Sequence, residues 1–147
     1  MNTPKTASTG SPGSSSSPYR DAADLQSLLE QVFSAPYDHP EADLLTRSKL
    51  AVAFVFSDPD VRVLVDGRAG SGAVQITFGR PEQDAPLTFS MNGKTAHPFW
   101  MGELNVVTEM ALGRIQLQGS LLTALKIAPM MPVLQEGYRR AWAARTP

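Results

Sequence analysis

Apolar residues recur at two different spacings along this chain, and the change from one to the other divides it. Leu25, Leu28, Leu29, Val32 and Phe33 fall at i, i+3, i+4, i+7 and i+8, one stripe of a helix that Asp24 is placed to cap and Ala35-Pro36 to end. A second helix is expected from near Pro40, with Glu41 and Asp43 in its first turn, to about Lys49. From residue 51 the period falls to two, which marks a sheet. Strands are predicted at 51–56, 61–65, 73–78 and 87–91, separated by Ser57-Asp58-Pro59-Asp60, by Asp66-Gly67 and by the loop 79–86. These short connections predict antiparallel neighbours. Val74, Ile76 and Phe78, then Leu87, Phe89 and Met91, alternate with Gln75, Thr77, Thr88 and Ser90, so one face is buried and the other wet.

Past the Asn92-Gly93 turn, Thr95 is positioned to cap a short helix through 100–104, and Asn105 to cap another that stops at Gly113. A fifth strand follows at 114–118. Ser120 then caps a helix that Pro129 and Pro132 interrupt or restart, after which Leu134, Tyr138 and Trp142 share a face. Residues 1–18 hold fourteen Ser, Thr, Pro or Gly and nothing that packs, so they read as a disordered tail ahead of a single domain over 19–147. The pattern is α+β: a five-stranded, mostly antiparallel sheet with helices packed on one face.

Composition narrows the function more by exclusion than by motif. With a net charge of −1 there is no overall pull toward nucleic acid. The absence of cysteine removes disulfides and thiolate chemistry and suits a cytoplasmic protein. The longest apolar run, 50–56, is far short of the roughly 20 residues a spanning helix needs. The first residues lack the apolar stretch of a secretory signal, and the ending Ala144-Arg145-Thr146-Pro147 is not a Ser-Lys-Leu type address. Charge is nevertheless uneven. Residues 21–44 carry six acids and no base, whereas from Leu112 onward Arg114, Lys126, Arg139, Arg140 and Arg145 face only Glu136, a net +4. Such a basic end could make transient contact with an anionic membrane or greet a phosphate, although charge runs are commonly solvated helix faces.

No catalytic constellation emerges. His39 and His97 are the only histidines and have no partner at metal-ligand spacing, so no metal site and no cofactor is expected. Before Pro98, His97 reads as a cap or turn residue. Gly70-Ser71-Gly72 precedes a strand instead of opening a helix, which makes it a hairpin turn and leaves Ser71 outside any nucleophile elbow. Glu103 and Glu109, six apart, fall on different helix faces and read as solvated, though a buried carboxylate there would suit proton transfer through a raised pKa. What remains is an apolar set on one side of the last third, rich in methionine: Phe99, Trp100, Met101, Leu104, Val107, Met110, Leu112, Leu121, Leu122, Leu125, Met130 and Met131. Taken singly these read as ordinary core. As a group, helices of this size on one sheet face can leave a cleft that pliable Met side chains reshape around a ligand.

The same stretch resembles the sterol carrier protein type 2 family, particularly its small stand-alone bacterial members. The matching residues are Phe89-Ser90-Met91, then His97-Pro98-Phe99-Trp100-Met101-Gly102-Glu103-Leu104-Asn105, then Ala111-Leu112-Gly113-Arg114-Ile115-Gln116-Leu117-Gln118-Gly119, and Ala124-Leu125-Lys126 with Pro129. The likeness is clear over about 85–135 and looser back to residue 25. It implies an apolar tunnel that binds sterols, fatty acids or acyl-CoA esters, with position 97 used in packing. The absent peroxisomal address departs from the family's animal members and fits a bacterial-type cytoplasmic protein. Candidate lining residues are Phe78, Phe89, Met91, Phe99, Trp100, Leu104, Val107, Leu121, Leu125, Met130 and Met131. Two alternatives stay open: an enzyme acting on a steroid or acyl-CoA with His97, Glu103 or Glu109 as proton-transfer group, and an accessory module presenting an apolar substrate to a partner enzyme.

Overall fold

The alternating segments pair into one sheet. Its strands are β1 (Ala51–Ser57), β2 (Val61–Asp66), β3 (Gln75–Phe78), β4 (Leu87–Asn92) and β5 (Gln116–Gly119), in the order β3-β2-β1-β4-β5. This arrangement comes from a computed structural model describing residues 17–35, 40–70, 74–79 and 85–145. The tail up to residue 16, Pro36, His39, Ser71-Gly72, Ala73, most of the 79–86 loop and Thr146-Pro147 lie outside the described residues. Ser17 and Pro18, assigned to the tail by composition, are half-buried.

Three of the four pairings are antiparallel, and β1 with β4 is parallel. The sheet is therefore mostly antiparallel, but β3 and β4 are not the neighbours that a short connection predicts. β4 crosses to the far side of β1, where an unpaired edge was open to it. Passing β2 and β1 takes about 15 Å, and a segment as long as 79–86 has that reach.

The register puts Val52, Phe54 and Phe56 beside Val65, Val63 and Val61 on one flank and Leu87, Phe89 and Met91 on the other. Ile76, Phe78 and Leu117 continue the same face outward, opposite Val65, Val63 and Phe89. This is the face the helices cover, and it forms the main core. The reverse face is mostly polar, with half-buried Val55 and a small cluster of Ala51, Ala53 and Leu64 near Ala85.

Among the described residues six α-helices pack against that core: α1 (Ala22–Ser34), α2 (Leu44–Ser48, entered through a 3-10 turn at Pro40–Asp43), α3 (Gly93–Met101), α4 (Val106–Ala111), α5 (Leu121–Ile127) and α6 (Met131–Ala144, entered through a 3-10 turn at Ala128–Met130). The predicted stripe of α1 is buried in full, and α1 packs along α6. Two expected caps move by three residues. Asp21, not Asp24, accepts the Asp24 N–H at the start of α1, and Asn92, not Thr95, accepts the Thr95 N–H at the start of α3. In both cases the residue three positions earlier has extended backbone, which leaves its carbonyl-bearing side chain free to fold over the first turn. Asn105 and Ser120 cap α4 and α5 as expected. His97 sits inside α3 and not at its entrance, and α3 ends at Met101 with Gly102 left-handed. The fifth strand begins two residues later than expected, with Gly113 at φ 79° turning the chain after α4.

Gly119 closes β5 with φ 118°, and a Cβ there would stand 2.2 Å from the Pro86 carbonyl oxygen. Gly119→Ala is therefore expected to destabilise by at least about 2 kcal/mol, read from the midpoint of urea unfolding.

Candidate functional site

Coverage of the inner sheet face is uneven. At its centre Val52, Phe54, Phe56, Val63 and Leu87 are buried, while toward the edges Ile76, Phe78, Phe89 and Leu117 are only half-buried. Helix residues packed against the same core are also half-buried: Leu104, Val106, Met110, Ala124 and Met131. Not one of these carries a charge. They form a partly open apolar surface between the sheet and the helices over its β4–β5 side, with Ile76 and Phe78 at the opposite edge.

The expected lining residues divide into three groups. Met91, Phe99, Trp100 and Met130 are buried in the core. Phe89, Leu104 and Met131, and Phe78 at the opposite edge of the sheet, are half-buried against the core. Val107, Leu121 and Leu125 are exposed, at 75%, 58% and 59%. The reason lies in helix length: α4 and α5 have six and seven residues, and their inward stripes are taken by Val106 with Met110 and by Ala124 with Ile127. Ile76, Val106, Met110 and Leu117 are half-buried residues that the expected lining did not include. The i,i+4 spacing of Val106 and Met110, and the alternation of Ile115 with Leu117, carried the signal.

Beyond the carboxyl ends of β1 and β4 lies a cleft of about 400 Å³. Val55, Ser90 and Gln116, which pair side by side on the reverse face of the sheet, line it together with Ser57, Asn92 and Arg114, while Phe56 and Met91 border it from positions that are buried in the core. Arg114 grips Glu109 through two hydrogen bonds of 2.6 and 2.9 Å. Glu109 is thus buried at the foot of α4 instead of solvated, and the Arg114 hydrogen bonds lower its pKa against the opposing effect of burial. A lowered pKa is the reverse of what a carboxylate serving as a proton donor near neutrality needs. Glu103 is exposed.

A buried aromatic cluster lies behind the apolar surface. Trp100 is fully buried among Phe99, Phe54, Phe33 and Tyr138, with centroids 5.0 to 6.2 Å apart. Its indole nitrogen has no hydrogen-bond partner among the described residues. Next to it, the Tyr138 hydroxyl lies 2.8 Å from both the Tyr19 hydroxyl and His97 Nδ1. Burial raises the pKa of both tyrosines. The outer end of the cluster is held by Asp24 and Arg145, hydrogen-bonded through both oxygens, with the guanidinium 4.0 Å over the Trp142 ring. Burial alone would raise the Asp24 pKa, but Arg145 and the Arg20 N–H outweigh it and hold the carboxyl at about 2. Part of the charge asymmetry along the chain is therefore satisfied internally, by one acid of the 21–44 stretch and one base of the C-terminal stretch.

Burial also lowers the His97 pKa; the Glu103 charge opposes this and the Arg145 charge adds to it. A histidine held neutral in the native state takes its proton more readily when unfolded. Stability is then fully present above about pH 6.5 and declines as the pH falls from there toward the native pKa. Urea unfolding at pH 7 and pH 5 is expected to show this loss, and His97→Gln to flatten the slope between them.

Among the described residues no group of His, Cys, Asp or Glu could hold a metal ion, and no helix is long and apolar enough to cross a membrane. The sequence matches no protein-family model and no curated protein. Solved structures are similar. Sterol carrier protein 2 of Yarrowia lipolytica, in its apo form, superposes with a TM-score of 0.55 at 12% identity, over 80% of this chain and 91% of that one. Sterol carrier protein domain 2 of Helicoverpa armigera gives 0.53 at 21% identity, over 92% and 98%. A conserved hypothetical protein of Thermus thermophilus gives 0.52 at 20%, over 90% and 95%. One parallel pair in a five-stranded sheet, helices on a single face and an apolar surface left half-covered between them make this the fold of the sterol carrier protein 2 domains.

Proposed function

We propose that the protein binds a lipid, of the sterol, fatty acid or acyl-CoA class, against the half-covered apolar surface between its sheet and helices, and carries or presents it without transforming it. The carrying observation is the chemistry of that surface. Phe89, Leu117, Leu104, Val106, Met110 and Met131 are half-buried, uncharged and gathered on one side of the sheet. Leaving so much apolar area partly wet is unfavourable unless something apolar covers it. About a dozen methylenes buried there would yield on the order of 10 kcal/mol, and micromolar affinity needs about 8 kcal/mol.

The surroundings support binding more than catalysis. The His97 ring faces the Tyr138 hydroxyl and packs 4.2 Å from Trp142, while Glu109 is held by Arg114. Neither of these groups is left over for a substrate. The sterol carrier fold supports the same reading.

Organic extraction of the purified protein followed by mass spectrometry tests the proposal. A lipid in near-stoichiometric amount is the expected result. No lipid in the extract, together with no uptake of an added fluorescent fatty acid or sterol, would overturn it.

A further inference from the structure

Among the described residues five large apolar side chains stand in water, and all five fall between residues 107 and 125: Val107, Leu112, Leu121, Leu122 and Leu125. On α5 the usual arrangement is inverted. Ile127 faces the core, whereas three leucines, one of them 73% exposed, face out. We propose that the outer face of α5, with Leu121, Leu122 and Leu125, is where the protein docks onto a lipid bilayer to load and unload its cargo; the proposal rests on the lipid-binding reading above.

Three observations favour a bilayer over a protein partner. The first is size. The three exposed leucines of α5 offer on the order of a few hundred Å², a patch typical of a functional site on a monomer but short of the roughly 800 Å² per partner of a stable protein interface. A bilayer needs only a few apolar side chains below its head groups. The second is charge. Between 106 and 125 the only charged residues are Glu109 and Arg114, which neutralise each other, and Lys126 follows in the last turn of α5, exposed and without a partner among the described residues. The surface is thus apolar and uncharged at its centre with one cation at its rim, which suits acyl chains under anionic head groups. The third is continuity. The inward side of the same helix carries Ala124, half-buried against the core, and α5 packs on the edge strand that carries half-buried Leu117. A lipid leaving the bilayer at this point moves from one apolar surface to the next around a short helix and never crosses bulk water. Of the cations in the basic C-terminal region, expected from the sequence to contact a membrane, Arg145 is engaged by Asp24 and Arg139 by the Met101 carbonyl.

The test uses the full chain and the double variant Leu122→Asp, Leu125→Asp, which changes exposed positions only. Three quantities are read: co-flotation with vesicles of phosphatidylcholine containing one-quarter phosphatidylglycerol, the rate at which dansyl-labelled fatty acid moves between such vesicles, and equilibrium binding of that fatty acid from vesicle-free solution. The original chain is expected to float with the vesicles. The variant should lose flotation and slow transfer by about tenfold or more, with solution affinity unchanged within about twofold. Equal transfer rates for both chains, or no flotation of the original chain, overturn the docking surface. So does a drop from dimer to monomer by light scattering in the variant with vesicle association intact, which would assign the patch to a second copy of the chain. Failure of solution binding in the original chain would instead sink the lipid-binding reading itself, separately from the flotation result.

Discussion

Alanine in place of Trp100 is expected to lower the unfolding free energy by about 3–5 kcal/mol, a large part of the roughly 5–15 kcal/mol that holds a small domain together. The side chain is fully buried, and its ring touches rings from α1, β1, α3 and α6: Phe33, Phe54, Phe99 and Tyr138. Removing it empties the point where the helical layer is fastened to the sheet, and neighbours held in four different elements have little freedom to close the gap. Phenylalanine at the same position separates packing from polarity. Because the indole N–H has no partner among the described residues, Trp100→Phe forfeits no hydrogen bond there and should cost less than about 1.5 kcal/mol. Urea unfolding of the two variants checks both figures. A phenylalanine variant as unstable as the alanine one would mean that the indole nitrogen holds something after all.

The second large effect concerns binding. Leu117→Gln and Phe89→Gln each place an amide on the half-covered apolar surface, where an acyl chain offers it no hydrogen bond. An unpaired amide costs about 1–3 kcal/mol, so fatty acid affinity is expected to fall by roughly ten- to a hundredfold in each case. Leu117 is on an edge strand and only half-buried, so its variant should fold. Phe89 stacks on Phe54 at 5.8 Å and its variant will lose stability as well. Leu117→Met, which keeps the surface apolar, should bind like the original chain. Titration with dansyl-labelled fatty acid, alongside thermal unfolding, distinguishes lost affinity from lost fold.

Much of this architecture was legible in the residues because it is written locally. The stripe of α1, the strand segments β1 to β4 and the caps at Asn105 and Ser120 depend on neighbours within four positions, and the structure follows them. What the sequence did not reveal depends on distant partners. The parallel pairing of β1 with β4 joins Val52 to Leu87, and no local pattern encodes which edge a strand will seek. Tyr19 and Tyr138 share a hydrogen bond across 119 positions. Glu109 looked solvated by helix spacing alone, yet Arg114, beyond the end of the helix, folds back to cover it.

The candidate site shows the same division. Phe89 and Leu104, expected to line a pocket, are half-buried and packed against the core. Val107, Leu121 and Leu125 are apolar too, but a helix of six or seven residues has room for one inward stripe, and hydrophobicity does not say which residues will fill it. Composition marks these segments as greasy on both sides. Only the packing of Val106, Met110 and Ala124 against the core tells the inner side from the outer.

The most direct measurement is a titration of the purified, delipidated full chain with dansyl-labelled fatty acid, followed by displacement with unlabelled fatty acid or sterol. An apolar site between sheet and helices predicts saturable binding of about one probe per chain with a dissociation constant near the micromolar range, competed by the unlabelled lipid and weakened in the Leu117→Gln variant. Fluorescence that rises without saturation, or that is identical in the variant and indifferent to competitor, would contradict it.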